Sequence, residues 1–264
     1  MRRLSLTAAL VLGALAAFAS DASAQRMRMP VSYQQRPLTL PRGTLRPEIG
    51  SVLSVERNRP DDDDAWLHFT AGLGVGITND FELGILVLPL RVAPAARYGS
   101  TDPGQPPLVT PWFGHERPDV YGRYRFVRGD VELGLDLHFI LPVPEEFHLV
   151  MGIPFLFHIA DFMRIDTGLY LQSEAFDRAW GHLPLVLTFN PSRRFFFGFD
   201  GGMTIGNDAR RRPGDDVRLP FGFFLGFTLG RPTVDIKVGT RTIDLQHGVD
   251  VWQAWFLMDF YVFL

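Results

Sequence analysis

From Thr44 to its last residue the chain alternates apolar positions with polar or glycine ones, and this period of two limits its fold more than any other feature. Successive side chains of a strand point to opposite faces. Between Asp130 and Ile140, Val131, Leu133, Leu135, Leu137 and Phe139 therefore share one side, and Glu132, Gly134, Asp136 and His138 the other. Clusters of Gly, Pro, Asn and Asp separate such runs, which predicts about twelve strands near 44–57, 65–77, 80–91, 118–127, 129–141, 147–158, 163–173, 180–189, 194–206, 217–229, 231–241 and 251–264. The middles of the apolar faces, such as Leu67, Phe69, Leu73, Val75, Ile77 and Leu219, Phe221, Phe223, Leu225, Phe227, hold no Asp, Glu, Lys or Arg. The opposite faces collect Glu82, Arg123, Arg125, Glu132, Asp136, His138, Arg164, Asp166, Asp200, Asp235, Lys237 and Arg241.

Alternation by itself is equally compatible with a soluble sandwich or barrel. Three features turn the apolar face outward. A charge facing lipid at mid-membrane costs about 2–4 kcal/mol, so a bilayer selects a chargeless belt. The polar face is rich in glycine, notably Gly72, Gly74 and Gly76, as suits a crowded lumen. Short connections at Thr78–Asp80, Arg128–Gly129, Ala160–Phe162, Asn190–Arg194 and Gly230–Thr233 alternate with mostly longer ones at Asn58–Asp64, Ala93–Arg117, Asn207–Asp216 and Thr242–Asp250. The expected fold is all-β: a closed, antiparallel, up-and-down transmembrane β-barrel with an even strand count. Taken as a two-residue hairpin, Arg128-Gly129 pairs Arg125 with Glu132 and Tyr124 with Leu133. Pro89, Pro142, Pro154, Pro184 and Pro220 run against this reading, since each removes a ladder hydrogen bond. The apolar run from Leu219 to Gly230 is too short, and too broken by Gly and Pro, for a spanning helix of about 20 residues.

The N-terminus has the layout of a signal peptide: Arg2 and Arg3, an apolar stretch from Leu4 to Ala19, and Ala22-Ser23-Ala24. Residues 1–24 are read as that signal, 25–43 as a polar, basic, proline-bearing periplasmic linker, and 44–264 as the barrel. Without Arg2, Arg3 and Asp21, the 26 basic and 29 acidic residues become 24 and 28, a net charge of −4 that gives no footprint for nucleic acid. The absence of cysteine excludes disulfides and a thiol nucleophile.

At the C-terminus Phe256, Met258, Phe260, Val262 and Leu264 alternate to the last residue. With the pattern over 44–264, this resembles the bacterial outer-membrane β-barrel superfamily, as a small porin-like barrel of no particular subfamily. Members end in an alternating strand closed by an aromatic residue; here Phe263 stands one position early and Leu264 is last. The resemblance implies a Gram-negative outer-membrane location, with the barrel-assembly machinery, membrane lipids and lipopolysaccharide as partners.

No motif outweighs this pattern. Gly72-Leu-Gly74-Val-Gly76 lacks nucleotide-fingerprint spacing, the seven histidines show no metal-site spacing, and no cofactor is implied. His138, His148, His158 and His182 fall on the polar face as lumen residues. The acidic run Asp61–Asp64 reads as a solvated outer loop, and the triplet Arg210–Arg212 reads equally as a holder of anionic lipid headgroups or as a group neutralised by the adjacent Asp215 and Asp216. Trp66, Trp112, Trp180, Trp252 and Trp255 stand near strand ends as interface anchors.

The function expected is a passive pore or small-solute channel, its charged lumen residues orienting small polar solutes. A barrel of about twelve strands is wider than side chains fill, and the glycines leave space. One alternative is a structural or surface-interaction barrel blocked by pairs such as Arg125 with Glu132. The other is a lipid-modifying enzyme, for which no His-x-Ser is present and His68-Phe69-Thr70 is the nearest sequence, so no enzyme is expected.

Overall fold

The computed structural model describes residues 32–59, 62–92, 118–141, 147–174, 178–206, 217–230, 233–242, 245 and 251–264; the signal-peptide reading and the loops around Ala93–Arg117 and Arg210–Arg212 lie outside them. The strands are β1 (Thr44–Arg59), β2 (Asp62–Gly76), β3 (Phe81–Val92), β4 (Asp119–Val127), β5 (Val131–Ile140), β6 (His148–Ala160), β7 (Met163–Glu174), β8 (Arg178–Phe189), β9 (Phe195–Gly206), β10 (Val217–Arg218), β11 (Phe221–Leu229), β12 (Thr233–Thr242) and β13 (Val251–Phe263). Each pairs antiparallel with its neighbours, β13 returns to β1, and the circle is closed. β10 and β11 both pair with β9, in unbroken order from Ile205 to Phe195, so they form one stave interrupted at Pro220. The barrel thus has twelve staves.

The apolar side faces out. Ile49, Phe69, Leu135, Met151, Leu169, Phe221 and Phe227 are exposed, whereas Glu82, Glu132, Asp136, Arg164, Asp235 and Lys237 are buried. A water-soluble fold has the opposite arrangement. Leu225, flanked by Phe223 and Phe227 on this outer belt, offers a test. Leu225→Arg should destabilise the barrel by about 2–4 kcal/mol in urea unfolding from lipid vesicles. A change within about 0.5 kcal/mol, as on an ordinary solvated surface, would contradict an outward lipid face.

Four of the strand prolines coincide with local breaks in pairing on one side. Pro154 stays opposite Gly168 of β7, but on the β5 side the register skips from Leu133↔Phe155 to Asp136↔Gly152. Pro184 stays opposite Gly202, and its break is on the β7 side, between Thr167↔Leu185 and Tyr170↔His182. Pro89 lies within the irregularity between Phe69 and Ala71, and Pro220 in the gap between β10 and β11. A missing donor is tolerated where no ladder bond is made. Pro142 is outside the described residues.

Two expectations about connections are corrected. The segment read as a loop from Asn58 to Asp64 is strand in its described residues, with Arg57 opposite Asp63 and Arg59 opposite Asp62. At the β4–β5 turn, Arg125 stands opposite Gly134, not Glu132, and Tyr124 opposite Leu135, not Leu133. A bulge between Arg125 and Val127 and Gly129 at φ +123° lengthen the turn. The shift is two residues, so every side chain keeps its face.

Candidate functional site

Residues 32–43 do not hang free as a linker. They cross the lumen at the end of the barrel that carries the short turns, as an extended segment opening with one 3-10 turn at Tyr33–Gln35. The wall binds its backbone through side chains. The N–H groups of Leu38 and Leu40 donate to Glu132 Oε2 at 2.8 Å and Glu82 Oε2 at 2.9 Å, and that of Gln34 to Asn190 Oδ1 at 3.0 Å. Arg123 donates to the Leu38 carbonyl at 3.2 Å, and Arg164 to the carbonyls of Tyr33 and Arg36 at 3.2 and 3.0 Å. Pro37 and Pro41 have no N–H to give, and their neighbours Leu38, Leu40 and Arg42 all donate to wall side chains.

Two side chains anchor the arm. Tyr33 stacks on Phe196 with ring centroids 4.4 Å apart and has Arg36, Arg164 and Lys237 over its ring at 5.0–5.2 Å, a buried cation–π cage. Arg36 donates to Asp235 Oδ1 at 2.8 Å and to Thr228 Oγ1 at 3.3 Å, and makes a second contact from Nη1 to Asp235 Oδ2. Neither Arg36 nor Asp235 is more than 2% exposed. The arm is tied to the rim where it leaves: Gly43 N–H donates to the Gly76 carbonyl at 2.8 Å, and Leu264 N–H to the Gly43 carbonyl at 2.9 Å. Gly43, at φ +72°, makes the turn into β1.

The lumen glycines do not leave open space. A Cβ on Gly76 would lie 2.1 Å from the Pro41 carbonyl oxygen, and one on Gly74 would lie 3.1 Å from Leu40 Cδ1. Farther along the wall, Tyr121 lies over Gly84, Tyr170 over Gly152 and Phe196 over Gly226, each with a ring atom about 2.2 Å or less from the position a Cβ would take. The glycines are sockets for the arm and for lumen rings. A cleft of about 70 Å³ remains beside the arm, lined by Arg46, Glu82, Arg123, Arg164, Asp166, Tyr170 and Lys237 among others. It has room for a few waters.

All twelve charged or histidine residues singled out in the sequence face this interior, most of them as paired groups. Arg123 is bidentate on Asp136 (2.7 and 2.9 Å) and Arg164 grips Asp166 (2.7 Å). Lys237 meets Asp259 at 2.9 Å, and Arg125 meets Glu132 at 2.9 Å despite the shifted register. Glu82 accepts from Tyr121 Oη at 2.8 Å and lies 3.3 Å from Arg46. Asp200 and Arg241 flank Gly222 from opposite neighbouring strands, and Arg241 donates to Gln253 at 2.8 Å. His138 Nδ1 lies 2.8 Å from Asp119. At the rim, exposed Arg128 hydrogen-bonds Asp80, which raises its pKa above the usual arginine value.

Sequence reasoning missed Tyr33, Arg36, Arg46, Glu48, Tyr121 and Asp259. Glu48 and Asp259 were available from register, since Asp259 falls between outward Met258 and Phe260. Trp180 and Trp255, read as interface anchors, are instead buried lumen rings at 3% and 8% exposure, over Gly206 and Gly239; Trp252 is exposed. The side chains of Trp66 and His68, and all of Trp112, are outside the described residues. His138 with Asp119 and His182 with Thr204 are separate pairs, and among the described residues neither is joined by a third group into a nucleophile–base–orienter set. No group of residues suited to a metal occurs among the described residues either.

No protein-family model matches the chain, and no curated protein matches it in sequence. Solved structures do. The NanC porin superposes with a TM-score of 0.58 at 10% identity, covering 82% of this chain and all of that one. An outer membrane channel from Pseudomonas putida F1 gives 0.58 at 10% identity, covering 85% of this chain and 97% of that one. The fold is that of the bacterial outer-membrane β-barrels. Barrels of this fold are built around a polar interior, and here the arm occupies that interior at the short-turn end.

Proposed function

We propose that the chain is an outer-membrane channel for small polar solutes whose periplasmic end is held shut by residues 32–43 of its own arm. The observation that carries this reading is the double pairing of the wall. Every wall charge that holds the arm has a second partner on the wall: Glu132 has Arg125, Glu82 has Tyr121 and Arg46, Arg123 has Asp136, and Arg164 has Asp166. Asp235 keeps Thr228 at 2.8 Å. Apart from Asp235, whose wall partner is the neutral Thr228, the wall therefore does not depend on the arm to neutralise these charges, as a removable plug requires. Likeness in fold to a porin and a channel supports the same reading. The mixed signs of the lumen predict weak ion selectivity.

Gly76→Val tests it without altering any charge, because any Cβ there collides with the Pro41 carbonyl. In planar bilayers the variant should spend on the order of tenfold or more time open than the unaltered protein, which a loss of about 1.4 kcal/mol in arm docking produces. Silence of the folded variant at high protein load would contradict the channel. The arm's tight fit favours one second reading, a permanently filled structural barrel, and that reading predicts such silence.

A further inference from the structure

The contacts between arm and wall have a second meaning. Apart from the Tyr33, Arg36 and Thr39 side chains and the backbone bonds of Gly43 at the rim, the polar contacts join lumen side chains to the arm's backbone: carboxylates and amides take its N–H groups, and guanidiniums take its carbonyls. His158 adds a contact of 2.6 Å to the Gln34 carbonyl. Such an array fits an extended polypeptide of varied sequence, with Phe196, Arg164 and Lys237 around one ring and the Asp235 carboxylate for one cation. Charge agrees. Residues 25–43 carry Arg26, Arg28, Arg36 and Arg42 and no acid, leaving 20 basic against 28 acidic residues in the barrel.

We infer that the lumen is a binding site for an extended cationic peptide, filled in cis by residues 32–43 and able to take a peptide supplied in trans. The inference rests on the closed-channel reading only for the departure of the arm that makes room. The ligand class is a segment with an aromatic residue and an arginine three positions later, matching Tyr33 and Arg36. Its neighbours bind through main-chain groups.

The test uses the full chain with a specific protease site inserted after Arg42, which is exposed, and cut only after folding. The cut arm should remain bound through gel filtration and exchange slowly for a fluorescent peptide of residues 32–43, followed by anisotropy. An Arg36→Glu peptide should bind at least about tenfold more weakly. A scrambled peptide should not bind, and uncut protein should take up neither. Equal uptake of native and scrambled peptide, or loss of the cut arm with no uptake of either, would overturn the inference. If the insertion blocks folding, Gly76→Val protein and a peptide ending at Thr39 serve instead, since that peptide stops short of the collision. Peptide uptake by a barrel that passes no current would keep this inference and remove the channel.

Discussion

A chain without residues 25–43 is expected to give stable step currents in a planar bilayer where the full-length protein is quiet, the largest effect any single change should produce. The arm spans the lumen from Asn190 to Asn79, and its Tyr33, Leu38 and Leu40 are at most 9% exposed. Fully burying such side chains contributes about 1.5–3 kcal/mol each. The wall hydrogen bonds and the Arg36–Asp235 pair add to this burial, and the conformational freedom the arm loses on docking opposes it. The truncated barrel keeps all twelve staves and the wall pairs named above, so it should still fold, shown by heat-modifiable migration in gels. A folded truncation as quiet as the parent would mean that something other than the arm fills the passage.

Asp235→Ala should have the second largest effect. Removing one partner of a buried ion pair costs about 3–5 kcal/mol, and that loss falls on the arm because Arg36 is its buried charge. The shift corresponds to roughly a hundredfold or more in the ratio of undocked to docked arm, seen as open probability in bilayers. Arg36→Ala should act in the same direction. The double variant should be milder than the sum of the two by about 1–3 kcal/mol, the coupling expected of groups in direct contact. Additive effects would show that the pair does not latch the arm.

The barrel was legible from sequence because a sheet with lipid on one side and charge on the other writes a strict period of two. Residues 131–139 display it without a break, and the strand bounds follow with shifts of a few residues. Register near turns was less legible: nothing in Arg128-Gly129 announces the bulge beside Phe126, and the ion pair of Arg125 with Glu132 forms diagonally in spite of it. Prolines misled for a related reason, since a sequence does not show which side of a strand lacks a partner. The arm was least legible. Its prolines and absence of period are the composition of a linker, and a segment bound by wall side chains rather than by a ladder has no need of a period. One clue was present in the imbalance between an acid-free arm and an acidic barrel.

The most direct measurement of the arm's place uses the native absence of cysteine. Thr39 is 1% exposed and hydrogen-bonded to the Asn79 carbonyl, whereas Arg42, three residues on, is exposed at the rim. Single cysteines at these positions should react with a membrane-impermeant thiol reagent at very different rates in the folded protein: Arg42→Cys promptly, Thr39→Cys slowly until the barrel is unfolded. Equal, rapid labelling of both would place the arm outside the lumen and contradict the account.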